Sequence, residues 1–228
     1  MTCIWGQVRV ALHVRFAQAQ QPDGIKVDDD PMSQCTYLAK IRILVVDDNA
    51  FMRTIIRRIL GALGCTDVRE AGDGAEALKI LQSWAADIVL LDWEMSPFNG
   101  IEFTKMVRRI EDNTNTFLPI IMISAHSEFW RIRQARDAGV NEFLVKPISA
   151  KMIYQRIRNV IEKPRPFVHA PGFFGPDRRR QELNHGEERR IHDPDYVGDE
   201  QIMEQHEIDS YFNPDTEHAK DQVGTVDT

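Results

Sequence analysis

The stretch Ile43-Leu44-Val45-Val46-Asp47-Asp48 decides the fold, because four apolar residues in a row run directly into two carboxylates. Unbroken apolar runs of this length are typical of strands buried on both faces of a parallel sheet. Three later runs have the same form, and each also ends in a polar residue: Ile88–Asp92, Ile120–Ser124 and Phe143–Lys146. Ligands of open α/β sheets bind at the carboxyl ends of the strands, so these polar residues are the candidates for chemistry.

The polar residues at the strand ends share one chemistry. Asp47, Asp48 and Asp92 would repel one another unless a cation lay among them. An oxygen-only set without Cys or His suits a hard ion such as Mg²⁺. Lys146 can pair with an anion, and Ser124 can donate a hydrogen bond to the same anion. Asp92 is the candidate nucleophile, since carboxylates form aspartyl-phosphates. The set predicts a magnesium-dependent phosphate site.

Each of these residues also has a simpler interpretation. An Asp pair after a strand is often a helix N-cap, and capping is compatible with metal binding. A single Lys146 is more often a solvated surface residue, and a single Ser124 is more often a turn hydroxyl. The ordered set favours a site, because lysine and aspartate are rarely buried unless they are paired.

Amphipathic segments alternate with the apolar runs and predict five helices. They cover about residues 50–63, 74–83, 100–110, 127–138 and 149–162. Short alternating elements of this kind give right-handed βαβ crossovers and a parallel sheet. The sequence therefore predicts a flavodoxin-like (βα)5 doubly wound fold with strand order 2-1-3-4-5 over residues 40–163.

Both ends of the chain are predicted to be extensions. Residues 1–39 lack a helical or strand pattern and are expected to be disordered. Because Met32 lies just upstream of the first strand, residues 1–31 are interpreted as an upstream extension from a misassigned start site. Residues 164–228 are expected to be a Pro-rich linker and an acidic, largely disordered tail. Within them, Phe173–Arg180 is interpreted as a docking motif, as a segment that folds back on the domain, or as a basic patch for nucleotide or nucleic acid, the last being the minor alternative. A few apolar residues could form one side of a short helix: Ile202, Met203, Ile208, Tyr211 and Phe212.

Charge and cysteine content exclude several classes of protein. The 228-residue chain has a net charge of −7. Residues 164–228 hold 7 basic and 15 acidic residues, a net charge of −8, which argues against tail-mediated DNA binding. Cys3, Cys35 and Cys65 are odd in number and lack a metal-ligand spacing, which favours reduced thiols in the cytoplasm. No apolar run approaches 18 residues, so no membrane insertion is expected.

The strand ends and their spacing resemble a known family. Residues 41 to about 163 resemble the receiver domain of two-component response regulators, the chemotaxis-type single-domain phosphoacceptor. The matching pieces occur in the family's order: Leu44–Asn49, Ala71–Leu78, Leu91–Met95 with Gly100, Ser124–Ala125 and Lys146–Pro147. One departure is Ser96, which stands where the family usually has proline, with Pro97 following. We expect the loop to differ there without moving Asp92.

The resemblance implies a role for each site residue. Asp92 would be the phosphoacceptor, with Mg²⁺ held by Asp92, Asp48 and the backbone carbonyl of Glu94, and Asp47 acting through water. Lys146 would bind a phosphoryl oxygen, and the Lys146–Pro147 peptide bond would be cis. Three further roles complete the set: Ser124 would move towards the phosphoryl group, Phe143 would be the switch aromatic, and Glu94 and His126 would tune phosphoryl lifetime from the rim.

The function that the resemblance implies is phosphorelay signalling. A sensor histidine kinase or a histidine phosphotransfer protein would phosphorylate Asp92, and a downstream protein would bind the face made by helix 4, strand 5 and helix 5. The chain would not be an enzyme beyond its self-phosphorylation and autodephosphorylation. Two alternatives remain at this point: an aspartate-based phosphatase, which usually has a second Asp where Glu94 stands, and a receiver-like interaction module that is never phosphorylated.

Overall fold

A computed structural model describes residues 38–109, 114–170, 172–177 and 201–213 of the chain. Strands and helices alternate five times in its main part. These elements are β1 (Arg42–Val46), α1 (Ala50–Ala62), β2 (Asp67–Ala71), α2 (Gly74–Ser83), β3 (Ile88–Asp92), α3 (Gly100–Arg109), β4 (Ile120–Ser124), α4 (Phe129–Ala138), β5 (Glu142–Val145) and α5 (Ala150–Glu162). Three further elements follow, namely β6 (Phe167–Ala170), β7 (Phe173–Pro176) and α6 (Gln205–Phe212).

The five strands β1 to β5 form one parallel sheet in the order β2-β1-β3-β4-β5. This confirms the predicted flavodoxin-like topology. Every residue of β3 and of β4 is buried, which is why their sequences are apolar up to the final Asp92 and Ser124. The edge strand β2 instead alternates between exposed and partly buried positions over most of its length. The sequence pattern therefore separates the inner strands from this edge.

The two faces of the sheet bury separate hydrophobic clusters. In β1, Leu44 and Val46 point to one face, while Ile43 and Val45 point to the other. This alternation follows from the two-residue period of a strand. Helices α2, α3 and α4 cover the first face, and helices α1 and α5 cover the second. No helix in the described part of the chain is long and apolar enough to cross a membrane.

Side-chain caps set the starts of three helices. Asn49 accepts hydrogen bonds from the first backbone N–H groups of α1, while Asp73 and Ser149 cap α2 and α5 in the same way. Helix α4 begins at Phe129, two residues later than predicted, and ends at Gly139, whose φ of 98° is the left-handed conformation that glycine tolerates best. The caps place each helix directly after a strand end.

The prediction of a linker and disordered tail over residues 164–228 is wrong for the parts that the structure describes. Strands β6 and β7 pair as an antiparallel hairpin. Phe167 and Phe174 in this hairpin pack on Phe117, with ring centroids 5.4 and 5.3 Å away. Phe173–Asp177 therefore folds back on the sheet domain, one of the predicted alternatives, because its aromatic rings can be buried there. Arg178–Arg180 lies outside the described residues.

Helix α6 is a second ordered part of the C-terminal segment. Ile208 and Phe212 are 0% and 1% exposed and belong to the hydrophobic cluster on the first face of the sheet. Ile208 and Phe212 of the predicted apolar side are thus buried against the domain, whereas Ile202 precedes the helix and is exposed. At the other end, residues 1–37 and the predictions made for them lie outside the described residues, and Leu38 is buried in a short 3-10 turn.

Candidate functional site

Four side chains that the sequence places at strand ends come together at the carboxyl-terminal end of the sheet. Asp47 follows β1, Asp92 ends β3, Ser124 ends β4 and Lys146 follows β5. Asp47 and Asp92 are only 1% and 5% exposed. Charged side chains are rarely buried without partners, so this burial indicates a built site.

Three of the carboxylates form a compact acidic cluster. Asp47, Asp48 and Asp92 each offer one oxygen atom, and these oxygens lie within 4.8 Å of one another. Asp48 is exposed, so the cluster is open to solvent on one side. Oδ2 of Asp47 is buried and accepts no hydrogen bond from any residue that the structure describes. A buried carboxylate oxygen without a hydrogen bond, beside two other carboxylates, fits a hard divalent cation, which binds oxygen ligands.

Lys146 bridges the two buried carboxylates. Its Nζ atom lies 2.6 Å from Oδ1 of Asp92 and 3.7 Å from Oδ2 of Asp47. Its backbone N–H donates to the carbonyl oxygen of Ser124 over 2.7 Å, which fixes the chain where it leaves β5. The Lys146–Pro147 peptide bond is cis, as the resemblance implied. The lysine thus supplies a single positive charge at the centre of the site.

The positive charge of Lys146 does not offset the effect of burial on the pKa values of Asp47 and Asp92. The pKa of Asp92 is raised to about 6: burial is the largest cause, the hydrogen bond from Lys146 opposes it, and the charge of Asp47 adds to it. Burial also raises the pKa of Asp47. For Lys146, burial acts to lower the pKa, but the hydrogen bond and charge of Asp92 outweigh it, and the pKa is raised. The site therefore favours an additional positive charge.

The backbone holds Asp92 in a tight loop. Glu94 N–H donates to Oδ2 of Asp92 over 3.0 Å, and Gly100 N–H donates to the carbonyl oxygen of Trp93 over 2.9 Å. A Cβ atom on Gly100 would lie 2.4 Å from the carbonyl oxygen of Asp92, so only glycine fits. The Ser96–Pro97 peptide bond is cis in the part of the loop where the sequence departs from the family pattern.

Ser124 and Phe143 lie beside this loop. The Ser124 hydroxyl is buried and accepts a hydrogen bond from the backbone N–H of His126 over 3.0 Å. Phe143 is 1% exposed, and its ring meets that of Trp93 edge to face, with centroids 6.3 Å apart. Because Trp93 directly follows Asp92, the aromatic side chain at strand β5 is in contact with the loop that carries the buried carboxylate.

Comparison with known proteins identifies the family. The family model of the response regulator receiver domain matches residues 43–158, which span the sheet and most of α5. The chain belongs to the response regulator receiver domain family. The resemblance noted in the sequence is therefore confirmed.

Known relatives of this receiver include chemotaxis proteins. It is 37% identical to the chemotaxis protein CheY of Pseudomonas aeruginosa over 123 residues, which are 54% of this chain and 98% of the relative. It is 36% identical to CheY-3 of Vibrio cholerae, again over 54% of this chain and over 93% of the relative. These relatives make it a chemotaxis-like receiver of the two-component response regulators.

Solved structures agree with this assignment. A chain described as a response regulator from Chloroflexus aurantiacus is 26% identical and superposes with a TM-score of 0.51. The match covers 54% of this chain and 98% of that one. The family model ends at residue 158, so the C-terminal segment of this receiver lies outside the part that the family model matches.

The two rim residues expected from the resemblance contact each other. Nε2 of His126 lies 2.9 Å from a carboxylate oxygen of Glu94, and Nδ1 of His126 lies 3.4 Å from Glu128. Arg131 reaches the same Glu94 oxygen over 3.9 Å. The Glu94 side chain is thus turned towards the loop after β4, while its backbone N–H faces Asp92. Sequence reasoning placed both residues at the rim but did not foresee that they would pair.

Arg53 is a site residue that sequence reasoning missed. Its Nη1 donates to the backbone carbonyl oxygens of Asp47 and Asp48 over 2.7 and 3.3 Å. Asn49 N–H adds a hydrogen bond to Oδ1 of Asp47 over 2.8 Å. Arg53 therefore holds the backbone beneath the acidic cluster of the receiver. Its place in the first turn of α1, directly after the strand-end carboxylates, is the signal that could have found it.

Proposed function

We propose that this receiver accepts a phosphoryl group on Asp92 from a sensor histidine kinase or a histidine phosphotransfer protein. The observation that carries the proposal is the position of the buried Asp92 carboxylate, between the Lys146 ammonium and the other carboxylates of the cluster. In the transfer, an Asp92 oxygen bonds to phosphorus as the bond from phosphorus to the donor's imidazole nitrogen breaks. The leaving imidazole then takes up a proton.

Mg²⁺ is the metal ion that we propose for the acidic cluster. Asp48, Asp92 and the backbone carbonyl of Glu94 would hold it, and Asp47 would act through a bound water. When bound, the ion neutralises negative charge on the phosphoryl oxygens. Oδ2 of Asp47, which is buried without a hydrogen bond from the described residues, and the raised pKa values of the two buried carboxylates support this assignment.

Lys146, Ser124 and Phe143 would respond to the phosphoryl group. Phosphorylation adds roughly −1.5 to −2 charges and three strong acceptor oxygens. Lys146 Nζ, which now bonds to Asp92, would turn to one of these oxygens. The Ser124 hydroxyl would give up its hydrogen bond with His126 N–H and donate to another oxygen. Phe143 would move with Ser124, and Glu94 and His126 at the rim would tune the lifetime of the phosphoryl group.

We infer that Asp92 is a phosphoacceptor and not the nucleophile of an enzyme with an external substrate. Aspartate-based phosphatases usually carry a second Asp at the position of Glu94. Here the Glu94 carboxylate is 2.9 Å from His126 at the rim, and the side chain is 59% exposed. It is therefore not placed as a general acid against a substrate on Asp92.

Output is proposed to occur by contact with a downstream protein through the face formed by α4, β5 and α5. The net charge of −8 on residues 164–228 supports a protein partner over DNA. Phosphoryl donors of this class work in the cytoplasm, and we place the receiver there with them.

Phosphorylation by acetyl phosphate tests the proposal. The full chain is treated with acetyl phosphate and Mg²⁺, and intact mass spectrometry is expected to show one added phosphoryl group per chain. Asp92→Asn and omission of Mg²⁺ should each abolish it. Sustained turnover of a generic phosphate ester would favour a phosphatase. Failure of the chain to bind beryllofluoride, a phosphoryl mimic, would favour an interaction module that is never phosphorylated.

A further inference from the structure

The receiver's own C-terminal segment covers the proposed output face. Helix α6 runs along the outer side of β5, which is the last strand of the sheet. The side-chain amide of Gln205 accepts a hydrogen bond from Val145 N–H over 2.8 Å and donates to the carbonyl oxygen of Phe143 over 3.0 Å. Unpaired backbone groups on an edge strand are a template for partner binding. Gln205 satisfies one donor and one acceptor of this edge.

Charged groups anchor the same helix to α5. Arg156 is 3% exposed and forms ion pairs with Asp209 of α6 and with Glu142 of β5. Asp209 also accepts a hydrogen bond from the Gln205 amide over 2.8 Å, and Asn213 donates to Glu142 over 2.5 Å. This network links the acidic side of the segment to a buried cation of the domain. It gives the contact a specificity that apolar burial alone would lack.

The segment also contacts the loop that follows Ser124. Phe129 N–H donates to the carbonyl oxygen of Gln201, and Met203 N–H donates to that of Ser127, both over 2.8 Å. These bonds form a short antiparallel bridge between Ile202 and Glu128. Any movement of the β4–α4 loop towards a phosphoryl group would therefore displace the segment or break these hydrogen bonds.

An aromatic contact connects the segment to the loop of Asp92. The ring of Phe212 stacks on Phe143 at 6.3 Å with an interplanar angle of 20°, and Phe143 in turn contacts Trp93. Phe212 closes the outer side of the switch aromatic, which explains why both rings are 1% exposed. A change in the position of Phe143 would disrupt this stack.

We propose that residues 201–213 are a built-in ligand of the α4–β5–α5 face, and that phosphorylation of Asp92 releases them so that a partner helix can bind there. The proposal rests on the proposed phosphoacceptor function. The ligand presents Gln205, Ile208, Asp209 and Phe212 at spacings i, i+3, i+4 and i+7, which is one face of a helix. The partner is therefore an acidic amphipathic helix with a similar arrangement of amide, apolar and acidic groups.

Tethering explains how so short a helix can hold the face. An eight-residue helix is not stable alone in water, so its order depends on the face that it binds. Only 23 residues separate Asp177 of the hairpin from Gln201. A covalent connection of this kind gives the segment a local concentration at the face on the order of millimolar. A free partner competes against this concentration until the segment is released.

Linkage makes the coupling measurable from both sides. If phosphorylation weakens docking of the segment by some factor, docking weakens binding of a phosphoryl mimic by the same factor. Allosteric couplings are typically about 5- to 150-fold. Two measurements on the full chain with Mg²⁺ test this. The first is hydrogen exchange of the α6 amides with and without beryllofluoride. The second is the beryllofluoride affinity of the wild-type chain and of a variant in which docking of the segment is weakened.

We expect the amides of Gln205–Phe212 to exchange at least about fivefold faster when beryllofluoride is bound. Phe212→Ala, which removes the stack on Phe143, should bind beryllofluoride more tightly by a similar factor. Ser210→Ala is the matched control on the same helix, because among the described residues its hydroxyl donates to the His206 carbonyl of α6 itself, and it should leave the affinity unchanged. Unchanged or slower exchange, or an unchanged affinity of Phe212→Ala, would overturn the proposal.

The outcomes separate this proposal from the phosphoacceptor function. If the wild-type chain does not bind beryllofluoride while it retains the protection of α6, both proposals fail. If it binds the mimic, with Asp92→Asn as the negative control, and the segment does not respond, the built-in ligand alone is overturned. Protection of α6 that falls on dilution would show that a second copy supplies the segment, which contradicts docking within one chain.

Discussion

Gly100→Ala is expected to damage the phosphoacceptor loop, whereas the same change at Gly61 should be harmless. A Cβ atom at position 100 would lie 2.4 Å from the carbonyl oxygen of Asp92, and 3.2 Å from both Met122 and Trp93. At position 61 it would meet nothing within 4 Å. Both glycines lie in helices, so the pair holds the chemistry of the substitution constant and varies its surroundings.

The size of the effect follows from the distance. Contacts of a Cβ atom below 3.0 Å are essentially never observed, so the Asp92 carbonyl or the start of α3 has to move by at least 0.6 Å. The contact is with backbone, which cannot rotate away. Overpacking of this kind costs about 1–3 kcal/mol. The gain of about 0.5–1 kcal/mol from Gly→Ala in a helix applies to both variants and cancels, so their free energies of unfolding should differ by about 1–3 kcal/mol.

Urea unfolding followed by circular dichroism measures this difference. Because the same movement displaces the Asp92 carboxylate, labelling of Gly100→Ala by acetyl phosphate should be slower by about tenfold or more, whereas Gly61→Ala should label at the wild-type rate. If Gly100→Ala unfolded at the wild-type urea concentration and labelled at the wild-type rate, the proposed close contact of α3 with the phosphoacceptor would be wrong.

Four other perturbations test separate parts of the site and its support. Mg²⁺ at ten times its Kd should stabilise the chain against urea by about 1.4 kcal/mol, and Asp48→Asn should lose most of this gain. In EDTA, Asp92→Asn should be more stable than wild type by about 3 kcal/mol at pH 7. The raised pKa of Asp92 contributes stability to the wild type below pH 3.8, and this stability is lost as the pH rises through about 6. The urea midpoints of the wild type and of Asp92→Asn should therefore converge near pH 4. Glu94→Ala and His126→Ala should each change the phosphoryl half-life, and because the two side chains are paired, the double variant should change it less than the product of the single effects. Arg156→Met should lower the free energy of unfolding by about 3–5 kcal/mol, since a buried carboxylate partner loses its cation; an unchanged urea midpoint would contradict this.

The receiver fold was predictable because its signals are local and redundant. Each inner strand is a continuous apolar run, and helices α1, α2 and α5 each follow a side chain that caps them. The topology then follows from general rules of βαβ connection. Parallel strands end on the same side of the sheet. The four strand-end residues could therefore be placed together at the carboxyl-terminal end without coordinates: Asp47, Asp92, Ser124 and Lys146.

The C-terminal segment was not predictable in the same way. Eight residues cannot form a stable helix alone, and their order comes from contacts more than 50 positions away, such as Gln205 with Val145. Buried charges were also unexpected. Arg108 is 5% exposed and donates to the carbonyl oxygens of Gly139, Thr116 and Leu118. A cation satisfied mainly by backbone oxygens leaves no charge pattern in the sequence.

The position of the segment on the sheet connects its stability to the chemistry at Asp92. A parallel sheet of five strands has two edges, and in this receiver β2 faces solvent while β5 is covered by Gln205 and Phe212. Packed cores respond to small displacements by switching between discrete arrangements, because they are not continuously deformable. Phe143 lies between Trp93 and Phe212, so it cannot move towards the site without leaving a gap beneath α6. Phe212 of the segment would then lose its apolar contact with Phe143. Because this loss weakens docking, release is the expected direction of the switch.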